Sequence, residues 1–123
     1  VCKVCSDEAS YSYINSISYM ASNGNQIKHF IGVFNMSGAT NVLSAFNNCT
    51  SLKTIMLRKL KLSIEFPSSS MLTSKSILYM INNEAATSPI TITLHADAYA
   101  RAMANADIVA ALEAHPNVSL ASA

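Results

Sequence analysis

Apolar residues return along this chain in pairs two positions apart: Ile31 and Val33, Ile55 and Leu57, Ile90 and Ile92, Val118 and Leu120. A spacing of two puts both members on one face of an extended strand. The pairs predict four strands, near residues 29–34, 53–57, 90–95 and 117–120. Between them the spacing turns helical. Tyr13, Ile14, Ile17 and Met20 predict a helix over residues 9–22, and Val42, Leu43 and Phe46 a shorter helical turn. Ile77, Leu78, Ile81 and Ala85 predict a longer helix with Thr73 or Ser74 as its N-cap. Asp97 is the expected cap of an Ala-rich helix reaching Met103. Asp107 starts a last helix over residues 108–112, which Pro116 ends. Strands separated by helical spacers pair in parallel, because the chain must cross back before each new strand. The expectation is an α/β fold, with one curved parallel sheet and helices on its other side.

The steps between the first members of successive pairs are 24, 35 and 28 residues. A short period of this kind, with helical material between strands, is the mark of a solenoid. The long middle step holds residues 63–70, with Pro67 and a serine run, and residues 63–72 read as an inserted loop. Leu52, Ile55, Leu57, Leu60 and Leu62 fit the leucine-rich spacing L-x-x-L-x-L-x-x-N/C-x-L, with Leu60 where Asn or Cys is usual. One coil cannot bury its own apolar face, so stacking of coils makes the core.

Residues 45–57 read A-F-x-x-C-x-x-L-x-x-I-x-L. This run resembles the repeat of the BspA-like, treponemal-type leucine-rich repeat proteins. Residues 35–42 resemble the linker of that repeat. Residues 74–123 resemble the closing unit of gut-bacterial and phage-associated members. The resemblance implies a short leucine-rich-repeat solenoid with its helices on the convex side. It divides the single domain into an atypical unit at 1–27, a repeat core at 28–62, the loop at 63–72 and a closing unit at 73–123. It gives Phe46, Cys49, Leu52, Ile55 and Leu57 to the structural core. It also implies adhesion or protein binding at a cell surface or outside the cell, with a structural terminal cap, or a phage-associated structural protein, as the alternative. Free cysteine among apolar neighbours acts as a small hydrophobe, which suits Cys49 to that core.

Outward positions of the expected strands form the candidate binding face: Phe30, Gly32 and Phe34, then Thr54, Met56 and Arg58, then Thr91, Thr93 and His95, with Ser119. Aromatic residues, Met and Arg are enriched at protein interfaces. A register shift of one residue exchanges the two faces and makes Phe30 and Phe34 core instead. The first coil carries an open end that residues 1–27 do not match in motif. The expectation there is self-association or a longer chain that continues the stack.

Composition narrows the chemistry. Half of the 123 residues are apolar and 12% are charged, with a net charge of +1. Disorder needs the opposite balance, and a global basic field for nucleic acid is absent. No apolar run approaches the ~18 residues of a membrane helix. Lys53, Arg58, Lys59 and Lys61 supply half of the eight bases within nine residues, and no aromatic residue interleaves with them. From Glu84 onward there are four acids and one base. Cys2 and Cys5 make one C-x-x-C without a second pair, so no metal or redox cofactor is expected. The three histidines form no triad: His29 precedes a strand, His115 sits at a helix end, and His95 with Asp97 reads as a capped turn. No phosphate loop and no nucleophile elbow occurs. The expectation is a module without enzymatic activity.

Overall fold

The computed structural model describes residues 2–3, 26–40, 42 and 45–123. The helix expected over 9–22 and the thiol of Cys5 lie outside them. The protein is mixed α/β. Among the described residues it has two three-stranded parallel sheets and three helices. The first sheet holds β1 (Cys2–Lys3), β2 (His29–Asn35) and β3 (Thr54–Arg58), in that order. The second holds β4 (Ile64–Phe66), β5 (Ile90–Leu94) and β6 (Val118–Ser122). Helix α1 (Ser74–Asn82) crosses from β4 to β5, and α2 (Ala96–Met103) with α3 (Ala106–Ala114) crosses from β5 to β6. All pairings are parallel, and in the second sheet the helices make the crossovers that parallel pairing requires.

The single sheet expected from the apolar pairs is corrected to two, and the cause lies at β3. Among the described residues no fourth strand meets its far edge, because α1 and its flanks fill that place. The Thr73 amide donates to the Lys53 carbonyl at 2.9 Å, and the Ile55 amide to Ser76 Oγ at 3.2 Å. Past the strand, the Lys59 amide donates to the Asn83 carbonyl and the Ala85 amide to the Leu60 carbonyl. A helix laid along an edge supplies the partners a strand would have supplied.

The loop expected at 63–72 is corrected too. Its first part is β4, whose Ile64 and Phe66 are buried and whose Glu65 is exposed. Pro67 then ends the strand, and a residue before proline favours the extended conformation that Phe66 adopts. The helical turn expected at Val42–Phe46 is, over its described part, a pair of tight turns. The Ala45 amide donates to the Val42 carbonyl and the Cys49 amide to the Phe46 carbonyl.

β3 and β5 alternate as expected, with Ile55 and Leu57, and Ile90, Ile92 and Leu94, pointing into the core. β2 does not follow the expected register. His29 aligns with Thr54, but Val33 aligns with Met56, so β2 spends two more residues than β3 over the same stretch. Gly32, at φ 106°, carries this bulge in a backbone region that other residues enter only with strain. Two extra residues leave the facing unchanged, so Phe30 and Phe34 both point inward and are buried. Val33, expected inside, stands half-buried beside Met56.

One apolar core joins the two sheets. Phe30 meets Phe34 and Phe46 edge-on, each with centroids 5.9 Å apart. Phe46 stacks on Phe66 at 4.9 Å and so couples the first sheet to β4. Phe46, Cys49, Leu52, Ile55 and Leu57 have no exposed surface, and Leu60 has almost none. Leu62 packs against this core while partly exposed.

Candidate functional site

Each sheet keeps one face away from the core, and of the candidate binding residues Thr54, Met56 and Arg58 lie on one face and Thr91 and Thr93 on the other. On the first sheet His29, Val33, Thr54, Met56 and Arg58 are half-buried, in the register His29 with Thr54, Val33 with Met56 and Asn35 with Arg58. His29 Nδ1 and Thr54 Oγ1 share a hydrogen bond of 2.9 Å across the two strands. Asn35 is buried, and its Oδ1 accepts from the Ser37 amide at 2.9 Å, which turns the chain after β2. The face thus has an apolar centre, Val33 and Met56, between a polar pair at one end and a guanidinium at the other. Phe30 and Phe34 contribute nothing to it, because their rings are in the core.

On the second sheet the outward residues carry no large apolar side chain. Glu65, Thr93 and Ala121 are aligned across the three strands, and Thr91 is aligned with Ser119. The Thr91 amide donates to Ser63 Oγ at 2.9 Å, and Thr91 Oγ1 lies 3.3 Å from Ser119 Oγ. These hydroxyls satisfy one another, and Ser119 Oγ also donates to the Ile90 carbonyl at 3.4 Å. Thr91 and Thr93 therefore do not continue the face of Thr54, Met56 and Arg58. The continuous surface expected across all four strands is two separate surfaces.

His95 follows β5 and has a local task. Its Nδ1 accepts from the Asp97 amide at 3.1 Å, so His95 is the N-cap of α2 and Asp97 stands in the first turn. This reverses the expected roles of the two residues. The Asp97 carboxylate, 3.9 Å from the same ring nitrogen, suits a helix start by its charge. The last helix likewise begins at Asn105, whose Oδ1 accepts from the Asp107 and Ile108 amides at 2.9 and 3.2 Å. His115 is the C-cap of α3, at the helix end where it was expected.

Sequence reasoning missed two features here. His115 Nδ1 lies 3.3 Å from Glu84 Oε1, and Glu84 Oε2 accepts from the Ala86 amide at 2.7 Å. Asn117 Nδ2 donates to the Ala86 carbonyl at 3.0 Å. Together these bonds tie the turn before β5 to the turn before β6. The partners are 31 residues apart, so no local spacing announces them. The division of the basic cluster between the two ends of β3 is the second feature. Lys53 lies at the start of β3, whereas Arg58, Lys59 and Lys61 lie at or beyond its end. A five-residue strand, about 17 Å long, separates Lys53 from the other three. Lys59 is held in the left-handed region at φ 58°.

Among the described residues no three His, Cys, Asp or Glu side chains come together as metal ligands. No helix among them is long and apolar enough to cross a membrane. Cys49 forms no disulfide. Comparison with protein-family models, with curated proteins and with solved structures finds no match.

Proposed function

We propose that this protein is a non-enzymatic binding module, a short solenoid of the BspA-like leucine-rich repeat type that docks a protein partner on the outward face of its first sheet. The observation that carries the reading is the pair Val33 and Met56, side by side in register and partly open, framed by His29 with Thr54 and by Arg58. Protein interfaces have this anatomy: an apolar centre with Met and Arg over-represented, and a polar rim. The repeat at residues 35–57 supports the solenoid type, as does the buried layer of Leu52, Ile55, Leu57 and Leu60. The resemblance to surface proteins of this type supports a place outside the cell or at its surface. The test is site-specific photo-crosslinking in extracts of the source cells. A photoreactive residue at Met56 should capture one discrete protein, and the same residue at the exposed Glu113 should not. Equal capture from both positions, or none from Met56, would refute the reading.

A second reading is the structural terminal cap of a longer solenoid. The closing helices favour it: Ala98, Ala102, Ile108 and Ala111 bury the small apolar faces of α2 and α3 against the last coil. A cap stabilises an attached array of repeats and captures no partner. Fusion to such an array, followed by thermal unfolding, separates the two readings.

A further inference from the structure

The turn that follows β3 holds three cations in four positions, Arg58, Lys59 and Lys61. Lys59 and Lys61 are exposed, and neither has an ion-pair partner among the described residues. Among the described residues the flanking segments do not compensate these two lysines. Residues 33–42 contain no acid. Residues 83–89 contain only Glu84, whose side chain is 14% exposed and committed to His115 and to the Ala86 amide. The next acid along the chain, Glu65, is on the second sheet beside Thr93.

The backbone under these cations is held from both sides. The Lys59 amide donates to the Asn83 carbonyl, the Leu60 carbonyl accepts from the Ala85 amide, and the Leu60 side chain is buried. Lys59 adopts φ 58°, where a Cβ is unfavourable and glycine is free of that cost. A lysine at a position that glycine would occupy more easily is strain of the kind that gathers at functional sites. The turn therefore presents a fixed edge directly beyond Met56 and Arg58, on which Lys59 and Lys61 have no ion-pair partner among the described residues.

We propose that this edge receives an acidic, Asp- or Glu-rich segment of the partner protein, and so sets specificity on the docking face; the inference rests on the binding role given to that face. Charge complementarity selects an anion. The setting selects a peptide over a nucleic acid: residues 50–62 contain no aromatic side chain on which a base could stack, and the chain carries a net charge of only +1. Uncompensated rim charge acts chiefly on association rate and on partner choice, which suits an edge beside an apolar centre.

The test is fluorescence anisotropy with two labelled probes, an octaglutamate peptide and an oligothymidylate of equal length. Each is titrated with the intact chain and with the double variant Lys59→Gly, Lys61→Gln. Glycine suits the left-handed backbone at 59, so this variant keeps its fold, and its thermal transition checks that. Octaglutamate should bind at about 20 mM salt and weaken about tenfold at about 300 mM, where the Debye length is short. The variant should weaken it about fivefold through loss of two charge contacts. Oligothymidylate should bind more weakly than octaglutamate to both proteins. Absence of peptide binding, or equal binding by the variant, would overturn the proposal. So would tighter binding of oligothymidylate, which would assign the edge to nucleic acid. Salt-sensitive self-association in sedimentation, lost in the variant, would overturn it in favour of a second copy of this chain. Capture from Met56 is read separately. If it persists while the peptide fails to bind, the acidic edge alone is refuted; if both fail, the docking face falls as well.

Discussion

Leu57 and Thr54 stand three positions apart on β3 and face opposite ways. Leu57 is fully buried, so Leu57→Ala should cost about 2–5 kcal/mol through lost transfer and the cavity left behind. Thr54 gives up only its hydrogen bond to His29, and Thr54→Ala should cost less than half as much. Urea denaturation of both variants measures the difference, and equal costs would contradict the alternation seen on this strand. At Lys59 the expected sign is reversed. Relief of the left-handed backbone should make Lys59→Gly more stable by up to about 1 kcal/mol, reduced by the greater freedom glycine gives the unfolded chain. A loss of stability would mean that the lysine side chain itself holds the turn. The other non-glycine residue at positive φ among the described residues, Asn48, is of a type that tolerates this conformation, and it carries the tight turn before Cys49.

At the scale of elements, α1 is both a crossover and an edge cover. Thr73 caps it, with Oγ1 accepting from the Ser76 amide at 3.3 Å and lying 3.0 Å from Ser76 Oγ. Ser76 is buried and accepts from the Ile55 amide, so one short network starts the helix and closes the sheet. Ser76→Ala leaves that amide unpaired in the core and should cost about 1–3 kcal/mol. Native-state hydrogen exchange should show faster exchange at Ile55 than at Leu57; unchanged protection at Ile55 would show that another acceptor replaces Ser76. The segment after β4 is held by Arg101 of α2, whose Nη2 donates to the Ser70 carbonyl at 2.7 Å and to the Leu72 carbonyl at 3.0 Å. Arg101→Ala should release residues 67–72 to limited proteolysis while the core helices stay protected. Cutting at the same rate in both proteins would deny Arg101 this role.

For the whole molecule, the question is whether two sheets behave as one folding unit. The stack of Phe46 on Phe66 and the burial of Cys49 and Leu52 in the same apolar cluster argue for a single core. Ser69 Oγ adds a bond to the Cys49 carbonyl at 2.9 Å, which ties the segment after β4 to the repeat core. In native protein Cys49 should then be the last of the three thiols to react with a labelling reagent. The free energy derived from its labelling should equal the global unfolding free energy from urea. A lower value would show that the sheets part before either unfolds. The two outward faces share no strand register.

Strand positions and the buried layer of Leu52, Ile55, Leu57 and Leu60 were legible in the sequence, because strand alternation and the leucine spacing are local properties of a few neighbouring residues. Thr54, Met56 and Arg58 could be placed on the outward side of β3 for the same reason. What tertiary structure decided depends on which segments meet. The three residues of β4 are too few to show a period, and only pairing with β5 makes them a strand. Phe30 and Phe34 face inward because His29 pairs with Thr54 and Val33 with Met56 on the outward side, a register that only the pairing of β2 with β3 sets, with Gly32 taking the bend. The division into two sheets follows from Ser76 and Thr73 meeting the edge of β3, a contact between residues about twenty positions apart. Which residue caps α2 was settled at the junction itself, where the His95 ring accepts from the Asp97 amide. Periodicity fixes what a segment can bury; its partner's place in space fixes which neighbour it is buried against, and that information is spread over the whole chain.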